Sequence, residues 1–475
     1  VWSTFSEVHR ARPVRLVGRE RRSGFLSPFV AVEVELGTHD VPGRVVAGLT
    51  VGGHTLDCWY DGGRRLAGID LVDPQGKVTH HRSRRHGRPP TPPDALGVML
   101  TGRQLTVLTR IDGVWTARAR VELEHDVEPA DLVPHVAWQP RAGDAAPSPV
   151  ASWRSGTTGQ LGLRDVHFVA NADGSAYLRE GLAFLTMTHA GPGFFGTARC
   201  GVWSFDPTTY AIEHCSDLWF RRDGVVRGDH ATHVVRDADR WLVAASSWAT
   251  FDHAPEAGRS VDIGLATSEA NLLTGEHVLD TAPLGVPTGD LPAPVVGTWD
   301  PHLTRIDGHW HLAFVAARRF FDFYPALARA EVAGSLDGWR LLGAATDRRA
   351  TEGTVIARVD DQWRVLASDG PEGRSGQRRR FPVFDLAMDE VGALSAEHPT
   401  NIPWPSVLPL DDGGALMVTF DGTPAGGDLC GYGTHGDLVV LRAPAARTTA
   451  RTTARTNGAS GASHLVQPPE RQERP

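Results

Sequence analysis

The sequence predicts an all-β protein, a five-bladed β-propeller preceded by a β-sandwich domain. Three observations carry that expectation. The 475 residues include 52 Gly and 33 Pro, spread between short apolar runs, a pattern of many strands joined by tight turns. The length calls for more than one hydrophobic core. From about residue 150 onward the chain repeats itself five times, each unit offering a short strand, an Asp-rich turn and a second strand.

The first segment, 1–138, reads as the sandwich. Phe29–Leu36 and Arg44–Val51 are strands, and Ile111-Asp112-Gly113-Val114 joins 103–109 to 115–123 as a hairpin, because Asp-Gly tolerates the left-handed backbone of a two-residue turn. The stretch Gly97–Leu123 resembles the late strands of concanavalin-like sandwiches, and three roles stay open for the domain: binding carbohydrate, shaping the propeller mouth or bracing it. The proline-dense run Arg88–Pro93 is a surface loop. Pro, Gly, Ala and Asp crowd together at 139–149, which marks a linker.

The propeller is expected over 150–443. Its units open at Arg164–Phe168, Gly228–Val234, Trp299–Leu303, Thr351–Ile356 and Trp404–Leu408, and a later strand recurs in each, at 201–204, 263–266, 326–329, 384–387 and 438–441. A spacing of roughly 50 to 70 residues suits blades of four strands. A lone blade leaves apolar faces uncovered, so the five must pack around an axis. In 444–475, Arg-Thr-Thr-Ala repeats give way to Gly, Ser, Gln and Pro. That composition has too little apolar surface to offset its ordering entropy, and predicts a disordered tail.

Composition also excludes functions. A formal net charge of −8 gives no electrostatic footprint for nucleic acid. No run of eighteen uncharged apolar residues appears, so no membrane span is expected. The basic runs at 82–88 and 378–380 read as solvated loops. Val1–Pro13 has no apolar stretch of the signal-peptide kind, and secreted and cytoplasmic locations both stay open, as does the oligomeric state. Cys200 and Cys215 lie symmetrically about the turn at 206–209 and are expected opposite each other, as two thiols rather than a disulfide.

In a propeller the innermost strands line the central channel, with their first residues at one mouth. Aligning the units puts Asp165, Asp229, Asp300 and Glu352 at that mouth and Ser406 in the fifth blade. Side chains two apart on a strand point the same way, so His167 lies below Asp165 and His302 below Asp300, while His230 follows Asp229. Acids gathered in one pocket repel, which raises the pKa of at least one. A donor and an acceptor of protons at the same pH need such a split. Each Asp alone reads as readily as a turn cap. Glu352 argues otherwise, because it keeps the charge while changing the length. Trp299, Trp404 and Trp248 offer flat faces for sugar rings.

Arg164-Asp165-Val166-His167, Trp299-Asp300-Pro301-His302 and Thr351-Glu352-Gly353-Thr354 together resemble the catalytic segments of the five-bladed propeller glycoside hydrolases of family 43: arabinanases, arabinofuranosidases and xylosidases. Val166 and Thr354 stand where that family has Pro. The resemblance implies a hydrolase acting on poly- or oligosaccharides by single-displacement inversion. Asp165 would be the general base, Asp300 the residue that orients and tunes the acid, and Glu352 the general acid. Asp229, His230, His167, His302, Trp299, Trp404 and Trp248 would contact the sugar. The alternative is a lectin-like protein that binds carbohydrate without turning it over. No cofactor is expected, although the same Asp and His residues would also suit a structural ion on the propeller axis.

Overall fold

Asp112 and Gly113 both adopt left-handed backbone, at φ 50° and 78°, and the hairpin they close pairs Val114 with Ile111. The computed structural model that contains this hairpin describes residues 4–38, 41–141, 147–251, 261–292, 294–429, 434 and 436–445. Around the hairpin an antiparallel sheet of six strands forms in the order Val114–Glu122, Gln104–Ile111, Ala95–Thr101, Phe29–Leu36, Val150–Gln160 and Arg15–Glu20. A second sheet runs Val133–Pro140, Gly43–Val51, His54–Asp61, Leu66–Val72 and Val78–His81. Alternation places Val30, Val32 and Val34 on the face that meets Val45, Ala47 and Leu49 of the other sheet. The opposite face of the six-stranded sheet carries Ala31, Met99 and Trp115, which pack with Leu161 and Leu429 at the propeller.

Five antiparallel blades follow. Their innermost strands are Leu163–Phe168, His230–Asp237, Gly297–Ile306, Thr351–Val359 and Ser406–Pro409. An apolar layer fills each space between neighbours. Val202, Leu218, Val234 and Val243 join the first and second blades; Leu242, Leu303 and Phe314 the second and third. Ile306, Val365 and Phe384 join the third and fourth, Val355, Met417 and Val439 the fourth and fifth. Leu163, Leu185, Val418 and Val440 close the ring between the fifth and the first. Hydroxyls stitch the inner strands together: Thr354 Oγ1 donates to the Asp300 carbonyl at 2.8 Å, and Ser406 Oγ to that of Val166.

Two strands lie in other sheets than the sequence boundaries assigned them. Ser6–Ala11 pairs antiparallel with Asp437–Ala443 as the outermost strand of the fifth blade, and Phe5 is buried in the layer between the fourth and fifth blades. Val150–Gln160, placed by its sequence at the start of the propeller, lies between Phe29–Leu36 and Arg15–Glu20 in the sandwich. Alternation identifies a strand but not its partner, which is fixed by residues far off in the chain. Val133–Pro140 runs past the expected start of the linker, and 142–146 lie outside the described residues, as does the expected tail beyond Ala445.

The expected cysteine pairing is out by three residues, two of them from the turn, where Phe205 pairs with Ile212, and one from a bulge. The bulge lies between Val202 and Trp203, and Cys200 faces Leu218. Cys58, Cys200 and Cys215 are free thiols.

Candidate active site

The inner strands of four blades share one irregularity. Their pairing breaks between Arg164 and His167, His230 and Thr232, Trp299 and His302, and Glu352 and Val355. Each break holds one left-handed residue: Asp165 at φ 52°, Ala231 at 54°, Asp300 at 53° and Gly353 at 71°. Asp165 and Asp300 carry side chains in a conformation that favours Gly, and such strain concentrates at functional sites.

The break also corrects the alignment read from sequence. By backbone conformation Asp165, Ala231, Asp300 and Gly353 are equivalent. Asp229 stands two positions before its counterpart, and Glu352 one position before, level with Arg164, His230 and Trp299. Matching acids by charge had shifted the second and fourth blades out of register.

Asp165, Asp300 and Glu352 nevertheless line one cavity of about 360 Å³, together with Arg164, His230, Trp248, Trp299 and Trp404. The three acids reach it from the first, third and fourth blades. Burial pushes the Asp165 carboxyl up, while the Arg164 guanidinium (Nε 3.5 Å from Oδ2) and the Thr188 hydroxyl hold it down. Burial drives Asp300 well above the usual range, and the Glu352 and Asp165 charges push it further; the Gly353 N–H donates to Asp300 Oδ2 at 3.1 Å. Glu352 is pushed up to about 8, first by burial and then by the charge of Asp165, with the Trp299 indole and Arg164 opposing. Among the described residues, Asp165 alone of the three acids has a cation paired against it. All three carboxyls are pushed up by burial, Asp165 against the opposing charge of Arg164 and Glu352 as far as about 8.

Other expected contacts sit elsewhere. Asp229 does not reach the cavity: its oxygens take the Arg222 guanidinium at 2.8 and 3.0 Å, and the Ala249 N–H at 3.2 Å. It braces the turn Trp248–Thr250. His167 and His302 lie beneath the cavity floor, because two residues along a strand carry a side chain about 6.6 Å deeper. There they meet His233, their equivalent in the second blade, with ring centroids 3.8 to 5.3 Å apart. Burial lowers all three imidazole pKa values, that of His233 to about 3. The Nδ1 atoms of His233 and His302 accept the Leu303 and Ile356 N–H groups at 3.0 and 3.4 Å, which commits one nitrogen of each ring to the backbone.

His230 lines the cavity, with its Nδ1 at 3.2 Å from the Gly228 carbonyl and its pKa lowered to about 3 by burial and Arg164. Trp299, Trp404 and Trp248 line it too, yet all are mostly buried in one aromatic cluster, so each combines blade packing with wall building.

Several lining residues had gone unnoticed. Arg164 adjoins an acid that drew attention first. Phe320 and Phe321 occupy a hairpin turn, with Phe321 at φ 69°. An aromatic pair where Gly or Asn is the usual choice was a visible signal. Glu372 and Asn401 sit in loops and carried none.

Among the described residues, one group brings three metal-type donors together: His189, His214 and Asp217, in the first blade away from the cavity. Part of its donor set is engaged, while His189 Nδ1 and Asp217 Oδ2 are buried without a hydrogen-bond partner. Asp217 pairs with Arg199, and His189 Nε2 accepts the Trp203 indole N–H at 2.8 Å.

No family model matches this chain, and no curated protein matches it. Solved structures similar to it include a levansucrase from Bacillus subtilis, at TM-score 0.40 and 9% identity over 58% of this chain and 82% of that one. A family 117 glycoside hydrolase of the marine bacterium Zobellia galactanivorans gives 0.41 and 11% over 60% and 90%. A GH43_1 enzyme from Xanthomonas citri gives 0.38 and 15% over 59% and 87%.

Proposed function

We propose that this protein is a glycoside hydrolase that cleaves by single displacement with inversion. The observation that carries the proposal is the division of labour in one cavity: Asp165 faces a guanidinium, while Glu352 keeps its proton up to about pH 8. General acid–base chemistry at one pH needs such a pair.

Asp165 takes a proton from water on one face of the sugar while Glu352 delivers a proton to the leaving oxygen on the other. Asp300 works through the backbone. Its carboxyl holds the peptide N–H of Gly353, next to Glu352, and so fixes where the acid points. The Trp and Phe walls keep bulk water away and strengthen every charge interaction inside. His230, with its ring N–H directed at Gly228, has its other nitrogen as an acceptor for a sugar hydroxyl.

Arabinan-, arabinofuranoside- and xyloside-type substrates come first in the test, followed by other plant and bacterial polysaccharides. Product anomers are followed by NMR with wild type and Glu352→Gln. Inverted product from the wild type alone supports the proposal. Retained configuration overturns the inversion, and binding without release by the wild type replaces the hydrolase with a carbohydrate-binding protein.

A further inference from the structure

Sandwich and propeller together enclose a second cavity of about 540 Å³, which the reaction above does not use. The sandwich contributes Arg103, Arg120 and Glu122, and the propeller Arg227 and Gly228. It adjoins the acidic pocket. Phe194 lines both cavities, and two short turns, Phe195–Thr197 and Trp248–Thr250, form the wall between them. Phe195 and Trp248 face the acids; Gly196, Thr197 and Ala249 face the second cavity. Cavities between domains are favoured places for ligands.

The charges of this cleft do not balance. Three guanidinium groups line it, Arg103, Arg120 and Arg227, against the carboxylates of Glu122 and Asp126. Arg103 is taken by Glu122 at 2.5 Å. The nearby Asp229 is spent on Arg222. Among the described residues Arg120 and Arg227 make no ion pair. Arg227 is half-buried, its Nε is enclosed without a hydrogen-bond partner, and its pKa is lowered by burial, with Asp126 and Asp229 acting only at a distance. A cation drawn from water with no counter-ion carries a cost that a bound anion removes. The planar fork of a guanidinium matches a carboxylate best.

We propose that the cleft is a subsite for the carboxylate of an acidic sugar unit, a uronate, in the same saccharide whose neighbouring bond lies at Asp165 and Glu352. The saccharide crosses Phe194 from one cavity to the other, with Arg227 and Arg120 holding the acid group. That the neighbouring bond is cleaved rests on the hydrolase proposal; the binding of the uronate does not.

Calorimetry on the full chain tests this with oligosaccharides of galacturonate, glucuronate and mannuronate, each against its own methyl ester, which loses the charge and gains one methyl group. At least one acid should bind about tenfold more tightly than its ester, or about 1.4 kcal/mol. That preference should shrink at high salt and disappear in Arg227→Gln and in Arg120→Gln, the latter an exposed position where folding is not at stake. No preference in any pair, or a preference that survives both substitutions, overturns the proposal. Acid preference without bond cleavage keeps this subsite and removes the hydrolase; cleavage without acid preference does the reverse.

Discussion

Replacing Glu352 by Gln should make the protein more stable and less active at once. Burial and the charge of Asp165 push the Glu352 carboxyl from its usual 4.5 up to about 8. In the unfolded chain the same carboxyl ionises near its usual value, so between these two pH values the folded state holds a proton that the unfolded state has released. Stability from this group is therefore full below about pH 4.5 and is lost as pH rises toward 8. At pH 7 the loss amounts to about 3 kcal/mol, taking about 1.4 kcal/mol per unit over roughly 2.5 units. Gln has the same shape and never ionises, so Glu352→Gln should recover about that much at pH 7 and almost nothing at pH 4. At about 2 °C per kcal/mol for a large chain, the melting temperature should rise by about 6 °C at pH 7. Thermal melts of both proteins from pH 4 to 8.5 provide the measurement. A gain that is absent, or the same at every pH, would refute the claim that Glu352 is a buried acid protonated at neutrality.

The three axial histidines predict the opposite slope. Their folded pKa values lie below the unfolded 6.5, so their stability is full above that pH and is lost as pH falls, for His233 toward about 3. For His233 the cost is about 2 kcal/mol at pH 5. His233→Asn keeps an acceptor for the Leu303 N–H and should flatten the fall in urea midpoint between pH 7.5 and 5; an unchanged slope would show that this ring is not responsible. Asp229→Ala strands Arg222 and should cost about 3 kcal/mol, with KM rising more than kcat falls. A kcat loss equal to that of Glu352→Gln with an unchanged melting temperature would give Asp229 a chemical role instead. Gly353→Ala would put a Cβ 2.2 Å from Trp404 Cδ1 at φ 71°. It should lower stability by about 2 kcal/mol or more and reduce activity, as melting and initial rates would reveal.

What the sequence disclosed follows from how local the signal is. Inner and middle strands are buried on both faces and end in Asp-rich turns, so their apolar runs and the turns that close them stood out. Outer strands such as Trp339–Ala344 and Glu390–Leu394 are half exposed and leave little pattern. The closing strand Ser6–Ala11 and the return strand Val150–Gln160 find partners across the chain, which no local pattern encodes. At the site, Asp165, Asp300 and Glu352 were legible as acids at the starts of strands. Their true register was not, because it depends on which residue turns left-handed. Ala231 gives no chemical hint of sharing that role with two aspartates. His233 was not grouped with His167 and His302 for the same reason: the residue two positions before it is Ala231, not an acid.

The central claim is that Glu352 donates the proton to the leaving group while Asp165 activates water. Leaving-group dependence tests it most directly. Wild type, Glu352→Gln and Asp165→Asn are assayed on an oligosaccharide and on the dinitrophenyl glycoside of the same sugar, whose leaving group needs no proton. Glu352→Gln should lose about 10²- to 10⁴-fold on the oligosaccharide and stay within about tenfold of wild type on the dinitrophenyl glycoside, while Asp165→Asn loses both activities. Equal losses on the two substrates by Glu352→Gln would contradict its role as the acid.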